Sequence, residues 1–169
     1  MTDGYGGSLM LDRPNKLNDL NDLFDETESG ELKPFRSKHP GATVLVVDDE
    51  PEIVIAVSMR LKSAGFKVIA ARDGMQATKM ALQENPDVVI LDIGMPCGDG
   101  HAVASRLVDS ISTMMVPVIF LTARTSQNDR NKAHAVRAFD YITKPFTSGR
   151  ILDAVEAALD SRNLGERGI

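Results

Sequence analysis

From Thr43 onward, short apolar runs alternate with stretches whose apolar residues recur at helical spacing. In the first such stretch Ile53, Val57 and Leu61 share one helix face, and Gly65 ends the pattern. The predicted strands are residues 44–47, 68–70, 88–91, 116–121 and 139–143, and the last predicted helix ends at Asp160. A strand–helix unit that repeats in this way predicts an α/β fold with a parallel sheet.

The composition of the strands predicts their order in the sheet. The first, third and fourth strands are continuous apolar runs, which is typical of strands buried on both faces, whereas the second and fifth are shorter or more polar. The order 2-1-3-4-5 places the two polar strands at the edges. The sequence therefore predicts a flavodoxin-like, doubly wound (βα)5 fold with helices on both faces and a switch point between strands one and three.

Residues 1–41 differ from the rest of the chain and are predicted to be a flexible acidic extension. They are rich in Asp, Glu, Gly and Asn, and they lack β-branched aliphatic residues, so they cannot bury enough apolar surface to offset their ordering entropy. Leu17, Leu20, Leu23 and Phe24 nevertheless fall at helical spacing within residues 16–25. A disordered tail and a short amphipathic helix that docks on a protein surface are both compatible with this pattern.

Charge and composition exclude several classes of function. The net charge of −5 lacks the basic surplus of a domain that binds nucleic acid directly. A single cysteine, Cys97, excludes an intramolecular disulfide framework and a cysteine-rich zinc site. The sequence shows neither a membrane-spanning run nor a signal peptide, so we expect a cytoplasmic protein without membrane insertion.

Polar residues that could carry chemistry follow four of the five predicted strands. Asp48 and Asp49 follow the first, Asp92 the third, Thr122 the fourth and Lys144 the fifth. The carboxyl ends of parallel strands meet at one edge of the sheet, where ligands bind. Three carboxylates in one pocket require a neutralising partner, and a hard cation such as Mg²⁺ (or Mn²⁺) suits oxygen ligands. A lysine and a hydroxyl nearby suit a phosphoryl group, so the sequence predicts phosphoryl chemistry on an aspartate nucleophile.

At this point the sequence strongly resembles the response-regulator receiver domain of two-component signalling. The resemblance covers about residues 42–159, and its motifs occur in order, each at a strand end. The matching motifs are VLVVDDE at 44–50, LDIGMP at 91–96 with Asp99-Gly100, LTA at 121–123 and DYITKPF at 140–146. We therefore expect a receiver domain at residues 42–160 and a C-terminal tail at 161–169.

The resemblance implies a role for each site residue. It implies that Asp92 is the phosphoacceptor, that Asp49 binds Mg²⁺ directly and that Asp48 assists directly or through water. The backbone carbonyl of Gly94 supplies the remaining protein ligand in this scheme. Thr122 and Lys144 then contact phosphoryl oxygens, so that catalysis is mostly positioning and charge stabilisation. Such a domain promotes its own phosphorylation and dephosphorylation and is not a turnover enzyme.

The same resemblance implies a switch and partners. Thr122 would move toward the phosphoryl group, and Tyr141, the switch aromatic, would rotate into the space behind it. The output surface is then formed by helix four, strand five and helix five. A homodimer that forms through this surface is a further possibility. Gly94 and Arg124 flank the path of the attacking water and are expected to tune the acyl-phosphate lifetime. The expected donor is a sensor histidine kinase or a histidine phosphotransfer protein, whereas the downstream partner is not identified.

Several positions depart from the family pattern or carry no assigned role. Cys97 and Arg137 occupy positions that are usually glycine, and Arg137 must either adopt a left-handed conformation or end the fourth helix differently. The family commonly has a cis bond before the proline that follows Lys144. The three histidines show no metal-ligand spacing and are expected at the surface; they are His39, His101 and His134.

Other functions remain as alternatives. A phosphorylation-independent pseudo-receiver would be a binding module, but such modules usually lose one or more of the five site residues. An aspartate phosphatase needs an Asp-x-Asp motif after the first strand, and Asp48-Asp49 lacks that spacing. About ten residues follow the predicted end of the last helix, so we expect a stand-alone receiver or a fragment of a longer one. A phosphorelay intermediate that passes phosphate to a histidine phosphotransfer protein is a further alternative.

Overall fold

The computed structural model describes residues 35–95, 100–123 and 126–166 and contains one five-stranded parallel sheet. Its order is β2-β1-β3-β4-β5, which confirms the predicted doubly wound fold and strand order. In sequence order, the strands are β1 (Thr43–Val47), β2 (Lys67–Ala71), β3 (Val88–Leu91), β4 (Val118–Thr122) and β5 (Asp140–Thr143). The sheet is the frame that aligns the strand ends named above.

Each strand leads into a helix, and side-chain caps fix two of the helix starts. The helices are α1 (Pro51–Ser63), α2 (Gly74–Glu84), α3 (Gly100–Asp109), α4 (Gln127–Ala135) and α5 (Ser148–Glu166). The Asp73 carboxylate accepts a hydrogen bond from the Gln76 backbone N–H, and the Ser126 hydroxyl oxygen accepts one from the Asp129 N–H. Both caps satisfy amide groups that have no partner within the first helical turn.

Two apolar cores lie on opposite faces of the sheet. One contains α1 and α5 residues against Val44, Val46 and Leu121, and the other contains α2, α3 and α4 residues against Leu45 and Phe120. The alternation along β1 and β4 sends successive side chains to opposite faces, and both faces are covered. The two cores therefore pack against both faces of the sheet and hold the strand ends in fixed positions relative to each other.

The predicted element boundaries differ from the observed ones at several ends. β4 begins at Val118 instead of residue 116 and includes Thr122, and β5 begins at Asp140 instead of residue 139. The prediction that the last helix ends at Asp160 is wrong, since α5 continues to Glu166. The Asp87 carboxylate receives a hydrogen bond from Arg162, at 2.8 Å, so the last part of the helix contacts the loop before β3. The sequence shows no apolar residue at the right spacing there, which is why the extension was missed.

The turn before β5 resolves the alternative stated for Arg137. α4 ends at Ala135, and Arg137 adopts a left-handed conformation with φ +53°. Asn85 at the end of α2 does the same with φ +44°. A non-glycine residue in this region carries a cost of about 1–2 kcal/mol. Arg137 therefore accepts the conformation for which the family usually has glycine.

Some predictions fall on residues that the structure does not describe. They concern most of the 1–41 extension, including the candidate helix at 16–25, and also Cys97, Arg124 and the end of the 161–169 tail. The proposed division of the chain at residues 41 and 160 stays a prediction. In the part that the structure does describe, no helix is long and apolar enough to cross a membrane.

Candidate functional site

The sheet brings four predicted site residues to one edge. Asp48 follows β1 and Asp92 follows β3, and these two strands are neighbours in register, with Val47 opposite Leu91. The Asp92 N–H donates to the Val47 carbonyl at 2.9 Å, which continues the ladder into the site. Beyond β4, the Lys144 N–H donates to the Thr122 carbonyl at 2.9 Å. The backbone ladder itself therefore sets the positions of the aspartates, the threonine and the lysine.

Three carboxylates form the acidic part of the site. One oxygen from each of Asp48, Asp49 and Asp92 lies within 4.8 Å of the others. Asp48 and Asp92 are buried, at 1% and 6% exposure, whereas Asp49 is half-buried. The donor set is entirely carboxylate oxygen, which is the chemistry that a hard divalent cation prefers. Asp48, Asp49 and Asp92 therefore fit Mg²⁺ or Mn²⁺, with Asp49 the most accessible to water.

Lys144 reaches into this cluster from the end of β5. Its Nζ lies 2.6 Å from Asp48 Oδ2, 3.2 Å from Glu50 Oε1 and 3.8 Å from Asp92 Oδ2. The peptide bond between Lys144 and Pro145 is cis, as the resemblance implies. The ammonium group supplies one positive charge beside four carboxylates, those of Asp48, Asp49, Asp92 and Glu50. The site therefore keeps a net negative charge that favours binding of a further cation.

The electrostatics of the site follow from burial and from this ion pair. Burial raises the pKa of Asp48 from 3.8 to about 6, although the hydrogen bond and positive charge of Lys144 act in the opposite direction. Burial lowers the pKa of Lys144, but its hydrogen bond to Asp48 and the charges of Asp48 and Asp92 outweigh burial and raise it above 10.5. Lys144 is therefore a permanent cation, and Asp48 is a carboxylate that a second cation would stabilise.

Gly94 lies beside the carboxylate of Asp92, and Thr122 ends the neighbouring strand β4. Thr122 is the last residue of β4 and is buried, at 1% exposure. The Gly94 N–H donates to Asp92 Oδ1 at 3.1 Å, and a methyl group added at Gly94 would lie 3.3 Å from Asp92 Oδ2. Because it has no side chain, Gly94 leaves Asp92 Oδ2 accessible from one side. Its predicted carbonyl role and the predicted tuning roles of Gly94 and Arg124 stay predictions.

Tyr141, the predicted switch residue, belongs to a row of rings behind the site. It pairs with Phe120 across the β4–β5 ladder, and Phe120 and Thr122 alternate onto the same face. The Tyr141 ring lies edge-on to Phe120 with centroids 6.3 Å apart, and Phe120 contacts the His101 ring in the same way at 5.1 Å. The Arg130 guanidinium lies 5.2 Å from the Tyr141 ring centre. The row connects the start of α3 to the α4–β5 face.

Sequence reasoning was wrong about His101 and incomplete about His39. His101 is 7% exposed, and its Nε2 lies 3.9 Å from Asp129 Oδ1. Its spacing of three residues from the buried Ala104 was the signal that could have placed it on the inner face of α3. His39 is half-buried, with Nε2 2.8 Å from Asp160 Oδ1, and only His134 is exposed as expected for all three histidines.

Two contributors to the site had no assigned role in the sequence analysis. Glu50 contacts Lys144, and its N–H donates to Asp48 Oδ1 at 2.9 Å. Gly100 begins α3, and a Cβ there would lie 2.3 Å from the carbonyl oxygen of Asp92. Glu50 follows Asp48-Asp49 directly, so its proximity was foreseeable, whereas the close approach of Gly100 requires the folded loop.

Comparisons with a family model, with related sequences and with solved structures all indicate the same family. The family model "Response regulator receiver domain" matches residues 44–156. The transcriptional regulatory protein KdpE of Mycobacterium tuberculosis is 41% identical over 116 residues, which cover 69% of this chain and 50% of KdpE. The alkaline phosphatase synthesis transcriptional regulatory protein PhoP of Bacillus subtilis is 38% identical over 69% of this chain and 48% of PhoP.

A solved structure extends the comparison to the fold. The chemotaxis protein CheY4 of Vibrio cholerae superposes with a TM-score of 0.68 and 32% identity, covering 70% of this chain and 99% of CheY4. This chain therefore spans about half the length of the curated transcriptional regulators and nearly all of CheY4. The family model covers well over half of the chain, and the strand order and acidic edge agree with it. This chain belongs to the response-regulator receiver domain family of two-component signalling.

Proposed function

We propose that this protein is a phosphoacceptor switch in which Asp92 receives a phosphoryl group from a sensor histidine kinase. The observation that carries the proposal is the convergence of Asp48, Asp49 and Asp92, with Lys144 Nζ 3.8 Å from Asp92 Oδ2. A carboxylate nucleophile beside a permanent cation, in a pocket suited to a divalent metal ion, favours phosphoryl transfer over other chemistry.

The transfer step uses groups of this chain. An Asp92 carboxylate oxygen attacks the donor phosphorus, forming an O–P bond as the P–N bond to the donor imidazole breaks. The bonding electrons return to the imidazole nitrogen, and the product is an acyl phosphate on Asp92. Lys144 pairs with a phosphoryl oxygen, and Thr122 donates a hydrogen bond to another. Mg²⁺ or Mn²⁺, bound by Asp48, Asp49, Asp92 and the Gly94 carbonyl, would neutralise charge on the transferred group.

The output step uses Tyr141, which is the end of the aromatic row at the α4–β5 face. Phosphorylation adds about −1.5 to −2 charges at Asp92 and draws Thr122 toward it. Tyr141 lies on the same face and can move into the space that Thr122 leaves. The α4–β5–α5 face then changes its affinity for a downstream partner or for a second copy of the chain. The domain catalyses its own phosphorylation and dephosphorylation and is not a turnover enzyme.

A small phosphodonor tests the acceptor directly. With acetyl phosphate and Mg²⁺, we expect the wild-type chain to gain one phosphoryl group by intact mass, and Asp92→Asn to gain none. Asp153→Asn, an exposed carboxylate on α5, is the matched control and should behave as wild type. Phosphorylation of Asp92→Asn at the wild-type rate would contradict the assignment.

The same assay separates the alternatives. A pseudo-receiver gains no phosphoryl group under any condition, and an aspartate phosphatase releases phosphate continuously. A phosphorelay intermediate passes the group from Asp92 to a purified histidine phosphotransfer protein. That last result would keep the acceptor and change the direction of signalling.

A further inference from the structure

A small cleft opens between α4 and the beginning of β5. It measures about 270 Å³, and the rings of Phe139 and Tyr141 and the basic side chains of Arg130 and His134 contribute to its walls. Phe139 is 38% exposed, so part of its ring is available for contact within the cleft. Small-molecule sites usually measure about 300–1,000 Å³, so this cleft is better suited to one or two side chains of a peptide.

The surface around the cleft is basic. Residues 126–150 contain five Arg and Lys residues against two Asp residues. Arg150 pairs with Asp140 at 2.7 Å, and Lys144 lies in the acidic site. Of the remaining cations, Arg130 lines the cleft together with His134, whereas Lys132 and Arg137 are exposed neighbours in sequence that do not line it. The chemistry favours a peptide that is both apolar and acidic.

The chain itself contains such a segment in its N-terminal extension. Residues 1–34 hold eight acids and three Arg or Lys residues, so they carry the whole net charge of −5, whereas residues 35–169 are neutral. Residues 17–32 contain six acids and no Arg or Lys. Leu17, Leu20, Leu23 and Phe24 fall at helical spacing in the same stretch. Apolar anchors and negative charge thus occur together, as the cleft requires.

The start of the described chain lies within reach of the cleft. Ser37 N–H donates to the Ala64 carbonyl at 2.9 Å, and Lys38 N–H donates to Glu156 at 3.1 Å. These contacts hold the entering chain beside the end of α1 and the middle of α5, on the face of the sheet that these two helices cover. The cleft lies beside the first residues of the edge strand β5, on the α4 side of the sheet, so the connecting residues must pass around that edge. Residues 26–34 can span about 30 Å when extended, which is about the diameter of a small domain.

We propose that residues 16–25 bind in cis to the α4–β5 cleft. Their leucine and phenylalanine side chains contact Phe139 and Tyr141, and their carboxylates lie beside Arg130 and His134. The extension then covers the output face of its own receiver domain. The regulatory consequence rests on the proposed function: movement of Tyr141 on phosphorylation of Asp92 reshapes the cleft and releases the segment.

A spin label in the full-length chain tests the docking. The label is attached to Asn18→Cys, on the polar side of the segment, in a Cys97→Ser background, and amide signals are recorded by NMR. We expect loss of signals around Phe139 and Tyr141 in the unmodified protein. The loss should disappear in Leu20→Ser/Leu23→Ser and persist in Leu9→Ser/Leu11→Ser, the matched control in the same extension.

The other outcomes overturn the proposal. Signal loss at Ile55 and Met59 on α1, or at Ile111 and Met114 after α3, would place the segment on another exposed apolar patch. No loss at any site would leave the cleft to an external partner. Loss only between labelled and unlabelled chains in a mixture would assign the segment to a second copy.

A further arm separates this proposal from the proposed function. Docking is read in the unmodified protein, so it does not depend on whether Asp92 accepts a phosphoryl group. With Mg²⁺ and acetyl phosphate, the signals around Asp92 should shift and the signal loss at Phe139 should decrease. Absence of any shift at Asp92 would count against the phosphoacceptor function alone. A shift at Asp92 with unchanged loss at Phe139 would refute the release.

Discussion

Gly100→Ala tests whether close packing of α3 against the acceptor loop fixes the site. The added Cβ would lie 2.3 Å from the Asp92 carbonyl oxygen and 2.8 Å from the Ile93 Cα, both backbone atoms without rotameric freedom. Ordinary contact begins near 3.4 Å, so the backbone must move by about 1 Å. Overpacking of this kind costs about 1–3 kcal/mol. The Gly100 N–H bond to the Ile93 carbonyl, at 3.4 Å, would be lost as well.

The direction of the stability change distinguishes close packing at Gly100 from an ordinary helical position. At an open helical position Gly→Ala stabilises a protein by up to ~1 kcal/mol, because alanine has the higher helix propensity. At Gly100 we expect destabilisation by about 1–3 kcal/mol and a Tm lower by roughly 4–12 °C. Gly149→Ala in the first turn of α5 is the matched control and should be neutral or stabilising.

Thermal unfolding followed by circular dichroism measures the change, and acetyl phosphate labelling measures its consequence for Asp92. We expect slower phosphorylation of Gly100→Ala even well below its Tm, because the displaced loop carries the acceptor carboxylate. A Tm equal to or above that of wild type would refute the reasoning, since it would mean that α3 can move away from the loop at no cost.

Two other predictions follow from the site and the α4 turn. The pKa of Asp48 is raised to about 6, so a proton competes with Mg²⁺ for its carboxylate below that pH. Calorimetric titration should therefore show that Mg²⁺ binds about tenfold more weakly at pH 5 than at pH 7. An aspartate with an ordinary pKa would give almost no change in Mg²⁺ affinity over this range. Asp48→Asn should remove this dependence. Arg137→Gly should raise the free energy of unfolding by up to ~1 kcal/mol because it relieves a left-handed residue, whereas Lys132→Gly within α4 should lower it by a similar amount. Denaturant unfolding decides both, and a loss of stability in Arg137→Gly would refute the strain argument.

Strand composition was sufficient to predict the sheet. The continuous apolar runs of β1, β3 and β4 required burial on both faces, and that requirement alone placed β2 and β5 at the edges. The strand ends then determined which polar residues could meet, because parallel strands align their carboxyl ends. Asp48 and Asp92 are in contact range for this reason, and no side-chain geometry was needed to expect it.

Contacts that depend on loops and on late packing were not accessible in the same way. The close approach of Gly100 to Asp92 arises from the path of the loop, which periodicity does not encode. His101 was misassigned because histidines without metal-ligand spacing were all expected at the surface, although its spacing from the buried Ala104 indicated an inner face. The extension of α5 to Glu166 depends on tertiary contacts, including the Arg162–Asp87 pair, which no local pattern reveals.

The pKa values in the acidic site depend on burial and on ion pairing in the folded structure, which composition does not reveal. Four carboxylates share one ammonium group, so the electrostatic question is which acid bears the cost of burial. Burial raises the pKa of Asp48, which is the least exposed of the three aspartates, at 1%. The same arrangement explains why Lys144 stays charged despite its own burial. A divalent cation and a phosphoryl group would complete each other here, since the first relieves the excess negative charge that would otherwise repel the second.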